Sequence, residues 1–269
     1  MKRHEVLGKK LRASLAYTLE SRAKREADYV TLTAPGQPQQ QFAREGIIDA
    51  AVGYAVLEHL GYGPIKSLAR HLNRGVDRSI EYFFGNWWQS DEDDAISLDK
   101  SRSDRELRWF GVLPNALLLA GLTGRWGDAA KIGSWFDASI EAEYQGGLIE
   151  DRYMQLFLAI ASNLRPEPMP GVEEFVANVK KSRTKRPRLL CAAWEAALAR
   201  DQKAFDKALK QSVEHFLKHD AEDVPSVMYW VALHPSLVWL IAERNGLTFP
   251  ELPEQLDAAV VRRQTIGLA

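Results

Sequence analysis

The segment "AAWEAALARDQKAFDKAL", residues 192–209, decides the fold class of this chain. An alanine-rich stretch leads into a short polar turn at Asp201, and apolar residues with helical spacing follow the turn. An aspartate at the start of a helix can accept a hydrogen bond from a backbone N–H group that has no partner inside the helix. We therefore predict two antiparallel helices joined by a tight turn, which is the unit of stacked helical arrays.

A second segment, "LAGLTGRWGDAAKIGSWFD" at residues 119–137, has the same organisation, with Asp128 as the candidate cap. The two segments do not fit a strict repeat of about 34 residues, which argues against a regular tetratricopeptide array. No window alternates with period two for long enough to indicate a strand. The sequence predicts an all-α protein of irregularly stacked antiparallel helical hairpins, arranged like an α-solenoid or as a helical bundle.

Glycine and proline mark the predicted helix ends in the N-terminal part. Helical spacing resumes at Phe42 and is expected to stop at Gly61, with His59 as a candidate cap at that end. Pro64 is expected in the first turn of the next helix, because a proline there loses no helical hydrogen bond. Gly75 lies inside that helix and is expected either to kink it or to divide it.

A polar segment, "QSDEDDAISLDKSRSDRE" at residues 89–106, interrupts the helical pattern. It has too few apolar residues to supply a core element. We therefore predict an N-terminal helical part at 1–89, an acidic surface loop at 90–103 and a C-terminal helical part at 104–269. The sequence leaves open whether the two helical parts form one continuous domain or two.

Composition narrows the class of protein and its compartment. The chain has 269 residues, 46% of them hydrophobic, and a net charge of -1, so no overall field favours nucleic acid or an anionic membrane. The single cysteine, Cys191, lies in an apolar run, which indicates a buried residue in a reducing compartment. No segment reads as a signal peptide or a membrane span. We predict a cytoplasmic protein with no membrane partner, we do not favour nucleic acid as its partner, and no motif indicates a cofactor.

Two histidines, His215 and His219, stand four residues apart near the end of the second predicted helix. This spacing places both on one face of a helix, as a metal site requires, and Asp220, Glu222, Asp223 and His234 are candidate further ligands. The order of residues matches no metalloprotease motif. The other interpretation, which we favour, is that the two imidazoles finish the helix, where their partial charge complements the free carbonyl groups.

Two charged segments are candidates for partner binding. The first follows the tryptophans and joins aromatic to acidic side chains, which suits docking on a basic protein surface: Trp87, Trp88, Asp91, Glu92, Asp93 and Asp94. The second, "KKSRTKRPR" at Lys180–Arg188, is basic and has no interleaved aromatic residue. It hints at phosphate binding, although a basic helix end with a proline-marked connection explains it equally well.

The C-terminal third resembles a known family. The stretches "CAAWEAALARDQKAFDKALKQSVEHFLKH" and "YWVALHPSLVWLIAERNGLTFPELPEQL" look like the C-terminal region of the immunity protein 49 family. The likeness covers about residues 190–262 and lies in the helix with Trp194, the helix from Phe205 that ends in a histidine, and "LIAERNGL" with Pro250 and Pro253 after it. It implies an all-helical, non-enzymatic protein, encoded beside a bacterial polymorphic toxin, that binds this toxin and blocks it.

Three functions follow as hypotheses. The first is a toxin-binding immunity protein without a cofactor, in which the acidic-aromatic segment contacts the toxin. The second is a metal-dependent helical enzyme that uses His215 and His219. The third is a helical scaffold that binds a peptide or nucleic acid, as the basic segment hints.

Overall fold

The computed structural model of the chain describes residues 3–7, 24, 26–31, 41–84, 112–135, 152–220 and 230–268. Every regular element within these ranges is helical, which confirms the predicted all-α class. The helices, in chain order, are α1 at Arg3–Val6, α2 at 26–31, α3 at Gln41–Leu57, α4 at Leu68–Phe84, α5 at 112–123, α6 at Trp126–Ser134, α7 at Arg152–Asn163, α8 at Val172–Lys180, α9 at Lys185–Ala199, α10 at Gln202–His219, α11 at Leu233–Arg244 and α12 at Glu254–Asp257. A π turn at Glu58–Tyr62 follows α3, and a 3₁₀ turn at Gln264–Ile266 lies near the C-terminus.

The helices pack mostly against their neighbours in sequence, as stacked hairpins do. Helix α3 lies along α4, α6 contacts α4 and α7, and α7 pairs with α8. Helix α9 lies along α10 and also contacts α7, α8 and α11. The hairpin quoted from the sequence therefore stands at the centre of the C-terminal helices.

The buried apolar residues form one cluster that extends from Leu7 to Ile266.

Gly75 is part of the reason for the close packing of α4. A Cβ atom at this position would lie 2.7 Å from the Cβ of Ala51 on α3 and 2.8 Å from a methyl group of Leu119 on α5. Helix α4 continues through Gly75 without a division, so the glycine allows three helices to approach one another.

The helix ends follow the sequence in one case and depart from it in another. Gly61 lies in the π turn after α3 with φ +86° and ends the helical stretch there, as predicted, because glycine adopts this conformation at no steric cost. The expected position of Pro64 in a first helical turn is wrong, since α4 begins at Leu68. The chain turns before α4, and the carbonyl of Ser67 accepts hydrogen bonds from the backbone amides of Arg70 and His71.

The two candidate aspartate caps behave differently. The side chain of Asp201 accepts a hydrogen bond from the backbone amide of Ala204 at 3.0 Å, which confirms the predicted cap of α10. Asp128 does not cap α6, which begins after Arg125. Its carboxylate instead accepts a hydrogen bond from the Nε of Arg125 at 2.6 Å.

The predicted domain bounds stay predictions, because residues 90–103 lie outside the ranges that the structure describes. Among the helices within those ranges, none is both long enough and apolar enough to cross a bilayer.

Candidate functional site

The two sequence-predicted histidines lie at the open end of the α9–α10 hairpin. Because the two helices are antiparallel, the last turn of α10 stands beside the first turn of α9. The ring centroids of His215 and His219 are 4.6 Å apart. The charge of Lys185, at the start of α9, acts on His215 across this junction.

Asp220, which directly follows α10, links the histidines to α9. Its Oδ2 lies 3.7 Å from Nδ1 of His215 and 3.3 Å from Nε of Arg186. Burial lowers the pKa of His215, and the carboxylate of Asp220 opposes this effect while the neighbouring His219 adds to it. The arrangement places one carboxylate oxygen between a guanidinium and an imidazole at the turn after α10.

Arg186 also extends toward His234, at the start of α11. One of its terminal nitrogens lies 3.2 Å from Nδ1 of His234, and the hydroxyl of Tyr153 is within hydrogen-bond distance of the same ring nitrogen. The guanidinium lies 4.6 Å from the centroid of the Tyr153 ring. Burial and the charge of Arg186 lower the pKa of His234 to about 3. His234 is therefore a neutral acceptor that joins α7, α9 and α11.

These contacts bear on the metal hypothesis. The nitrogen of His234 that faces this junction contacts Tyr153 and Arg186, and the guanidinium of Arg186 also contacts Asp220. No three His, Cys, Asp or Glu side chains in the described ranges are grouped as metal ligands would be. Glu222 and Asp223 lie outside those ranges, so a metal site at His215 and His219 stays a prediction.

Two further candidate groups, His59 and Cys191, are buried in the core. His59, expected as a helix cap, is instead fully buried, with Nε2 at 2.9 Å from the carbonyl of Ala258 and Nδ1 at 2.7 Å from Oγ1 of Thr265. Cys191 is buried, as expected, and burial raises the pKa of its thiol to about 12, which leaves it protonated at neutral pH. Both side chains are fully buried and have no exposed surface for a substrate to contact.

An open cleft of about 610 Å³ was not foreseen from the sequence. It lies between the start of the chain and its C-terminal segment, with Arg3, Trp239, Phe249 and Arg262 among its lining residues. The guanidinium of Arg262 stacks 4.0 Å from the Phe249 ring centroid and donates to Asp257 at 2.7 Å. The charge of Arg262 is thus balanced by Asp257. The residues that line the cleft come from both ends of the chain, so no local sequence motif predicts it.

The acidic-aromatic candidates, Trp87, Trp88, Asp91, Glu92, Asp93 and Asp94, lie outside the described residues. The surface next to them along the chain is described. Phe84, the last residue of α4, is 37% exposed, and Nζ of Lys131 on α6 stands 5.3 Å from its ring centroid. Trp135, just after α6, is half-buried, with its ring 5.3 Å from that of Phe83. Aromatic side chains therefore reach the surface where the chain enters the acidic-aromatic segment.

A scan of protein-family models finds no match to this chain, and searches of curated proteins and of solved structures likewise find no significant match. The resemblance to the immunity protein 49 family stays a prediction that rests on the residues quoted for it. The fold and the described surfaces therefore carry the functional argument.

Proposed function

We propose that this chain is a non-enzymatic interaction protein, a cytoplasmic immunity protein that binds and neutralises a cognate protein toxin. The contact surface is centred on the acidic-aromatic segment at residues 87–94 and on the end of α4 that leads into it. The toxin contributes a basic surface, and the carboxylates of the segment occupy positions that a phosphate-bearing substrate of the toxin would otherwise take.

One observation carries this proposal, namely the exposure of Phe84 at the end of α4. Aromatic residues are enriched at the centres of protein interfaces, where they supply most of the binding energy. Among the described residues Phe84 is the large hydrophobic side chain that the fold leaves exposed. Lys131 lies over the Phe84 ring, and the half-buried Trp135 packs on the adjacent Phe83. An apolar anchor beside a run of acidic residues is a composition suited to a basic protein partner.

The proposal is tested by binding. The product of the neighbouring reading frame is purified as an inactive variant, and its affinity for this chain is measured by calorimetry. The triple variant Asp91→Lys, Asp93→Lys and Asp94→Lys is expected to bind at least about tenfold more weakly, since each like-charge contact costs binding free energy. Phe84→Ala is expected to lose about tenfold or more if it is an anchor.

A matched control distinguishes local contact from overall charge. The triple variant Glu173→Lys, Glu174→Lys and Glu251→Lys changes the net charge by the same amount at three exposed positions elsewhere. We expect its affinity to stay within about twofold of the unchanged chain. Equal losses of affinity in both triple variants, or an unchanged affinity in the Asp→Lys variant, would show that the acidic-aromatic segment does not contact the toxin.

A further inference from the structure

The fold divides the basic segment Lys180–Arg188 into two groups. Lys180 is paired with Glu195, at 2.6 Å between Nζ and Oε1. Arg186 is directed to Asp220 and His234. The other four side chains are exposed and make no hydrogen bond or ion pair with another described residue: Lys181, Arg183, Lys185 and Arg188.

The last turn of α10 adds basic residues beside these four side chains. Lys218 and His219 are exposed in the last turn of α10, beside the first turn of α9. The basic patch therefore consists of Lys181, Arg183, Lys185, Arg188, Lys218 and His219. The carboxylate of Asp220 contacts Arg186 and His215. Glu214, one turn before Lys218, is the exposed acidic residue on this part of α10.

The composition of the basic patch indicates its partner. Protein interfaces are enriched in aromatic residues and depleted of lysine, whereas lysine and arginine supply most contacts to phosphate groups. None of the six residues of the basic patch is a large apolar residue, and Phe84, the exposed large hydrophobic side chain among the described residues, lies on α4. No Phe, Tyr or Trp side chain is exposed on α9 or α10, so these two helices offer no large aromatic ring on which an unpaired base could stack. Both features favour a regular phosphate backbone over a protein surface or a single strand.

We propose that the basic patch binds the phosphate backbone of duplex nucleic acid without reading the bases. The inference does not depend on the proposed toxin partner. Five lysine and arginine residues can neutralise at most about five phosphates, and each releases about 0.9 counterion, so log K falls with log salt at a slope of up to about -4.5. Because the net charge of the chain is -1, the affinity stays in the weak range of sequence-independent binding, about 10⁻⁴ to 10⁻⁶ M at physiological salt.

The test is fluorescence anisotropy with a labelled DNA duplex of about 20 base pairs and an RNA duplex of the same sequence, over salt from about 25 to 200 mM. The patch variant carries Lys181→Gln, Arg183→Gln, Lys185→Gln and Arg188→Gln. The control variant carries Lys66→Gln, Lys203→Gln, Lys207→Gln and Lys210→Gln, four exposed lysines outside the basic patch, and thus has the same net charge.

We expect the patch variant to lose at least about tenfold in affinity at low salt, with a salt slope smaller by about 3 to 4, while the control variant stays within about threefold. A double variant, Lys181→Gln with Arg183→Gln, changes no position inside a helix. Its salt slope should decrease by about half as much as the slope of the patch variant. Binding of one duplex and not the other identifies which nucleic acid supplies the phosphates.

Three results would overturn the proposal. The first is an absence of binding at the lowest salt, and the second is an equal loss of affinity in the patch and control variants. The third is competition by polyglutamate that is as effective as competition by unlabelled duplex, which would assign the basic patch to an acidic protein surface instead.

Discussion

Acid is expected to destabilise this protein through His59, the buried imidazole that connects the π turn after α3 to the C-terminal segment. Nε2 donates to the carbonyl of Ala258, and Nδ1 lies 2.7 Å from the hydroxyl of Thr265. Burial lowers the pKa of His59 to about 3, and the nearby charges of Arg3 and Arg262 act in the same direction. The folded protein therefore keeps His59 neutral across the whole mildly acidic range.

The size of the effect follows from the two pKa values. In the unfolded chain the imidazole has its ordinary pKa near 6.5. Above this pH neither state binds the proton, so the contribution of His59 to stability is fully present. Between pH 6.5 and about 3 the unfolded state binds a proton that the folded state excludes, and the free energy of unfolding falls by about 1.4 kcal/mol per pH unit. Acidification from about pH 7.5 to about pH 5 should thus cost about 2 kcal/mol through His59.

Urea denaturation of the unchanged protein and of His59→Gln measures this directly. Glutamine does not titrate, and it loses part of the hydrogen bonding of the imidazole, so the variant should be less stable by about 1 to 3 kcal/mol at about pH 7.5. At about pH 5 the difference between the two proteins should be smaller by about 2 kcal/mol. A difference that is the same at both pH values would show that His59 is not held neutral by burial, and would refute the reasoning.

Three further predictions concern the caps, the packing and the candidate metal ligands. Asp201→Ala should lower the free energy of unfolding by about 1 kcal/mol, and Asp128→Ala by less than half as much, since only the former caps a helix; equal losses in thermal denaturation would contradict this assignment. Gly75→Ala should cost about 1 to 3 kcal/mol in urea denaturation, because the added methyl group meets two helices, and an unaltered midpoint would argue against that close packing. Protein purified without a polyhistidine tag should contain less than about a tenth of an equivalent of zinc, iron or manganese, whereas near-stoichiometric metal that is lost in His215→Ala or His219→Ala would favour the enzyme hypothesis.

Local features of the fold could be predicted from the sequence because their causes are local. The cap at Asp201, the helix end at Gly61 and the burial of Cys191 each depend on residues within a few positions along the chain. Asp128 shows the limit of this reasoning, because the same residue type at a similar turn pairs with Arg125. When both a backbone amide and a guanidinium are nearby donors, the sequence of the turn alone does not determine which of them the carboxylate binds.

Features that depend on distant residues could not be predicted in this way. The hydrogen-bond partners of His59 lie about two hundred positions later in the chain, at Ala258 and Thr265. The division of the basic segment likewise depends on Asp220, which reaches Arg186 only because α9 and α10 are antiparallel. Spacing identified the charged residues of this segment, and tertiary packing decided which of them stay exposed.

Survival of cells that express the neighbouring reading frame tests whether this chain neutralises a toxin. A bacterial host produces the product of that frame from an inducible promoter, with this chain, with the Asp91→Lys, Asp93→Lys and Asp94→Lys variant, or with neither. We expect the neighbouring product to kill alone, this chain to restore colony counts, and the variant to restore them poorly although it accumulates to the same level. A harmless neighbouring product, or killing that persists when this chain is present, would contradict the assignment as an immunity protein.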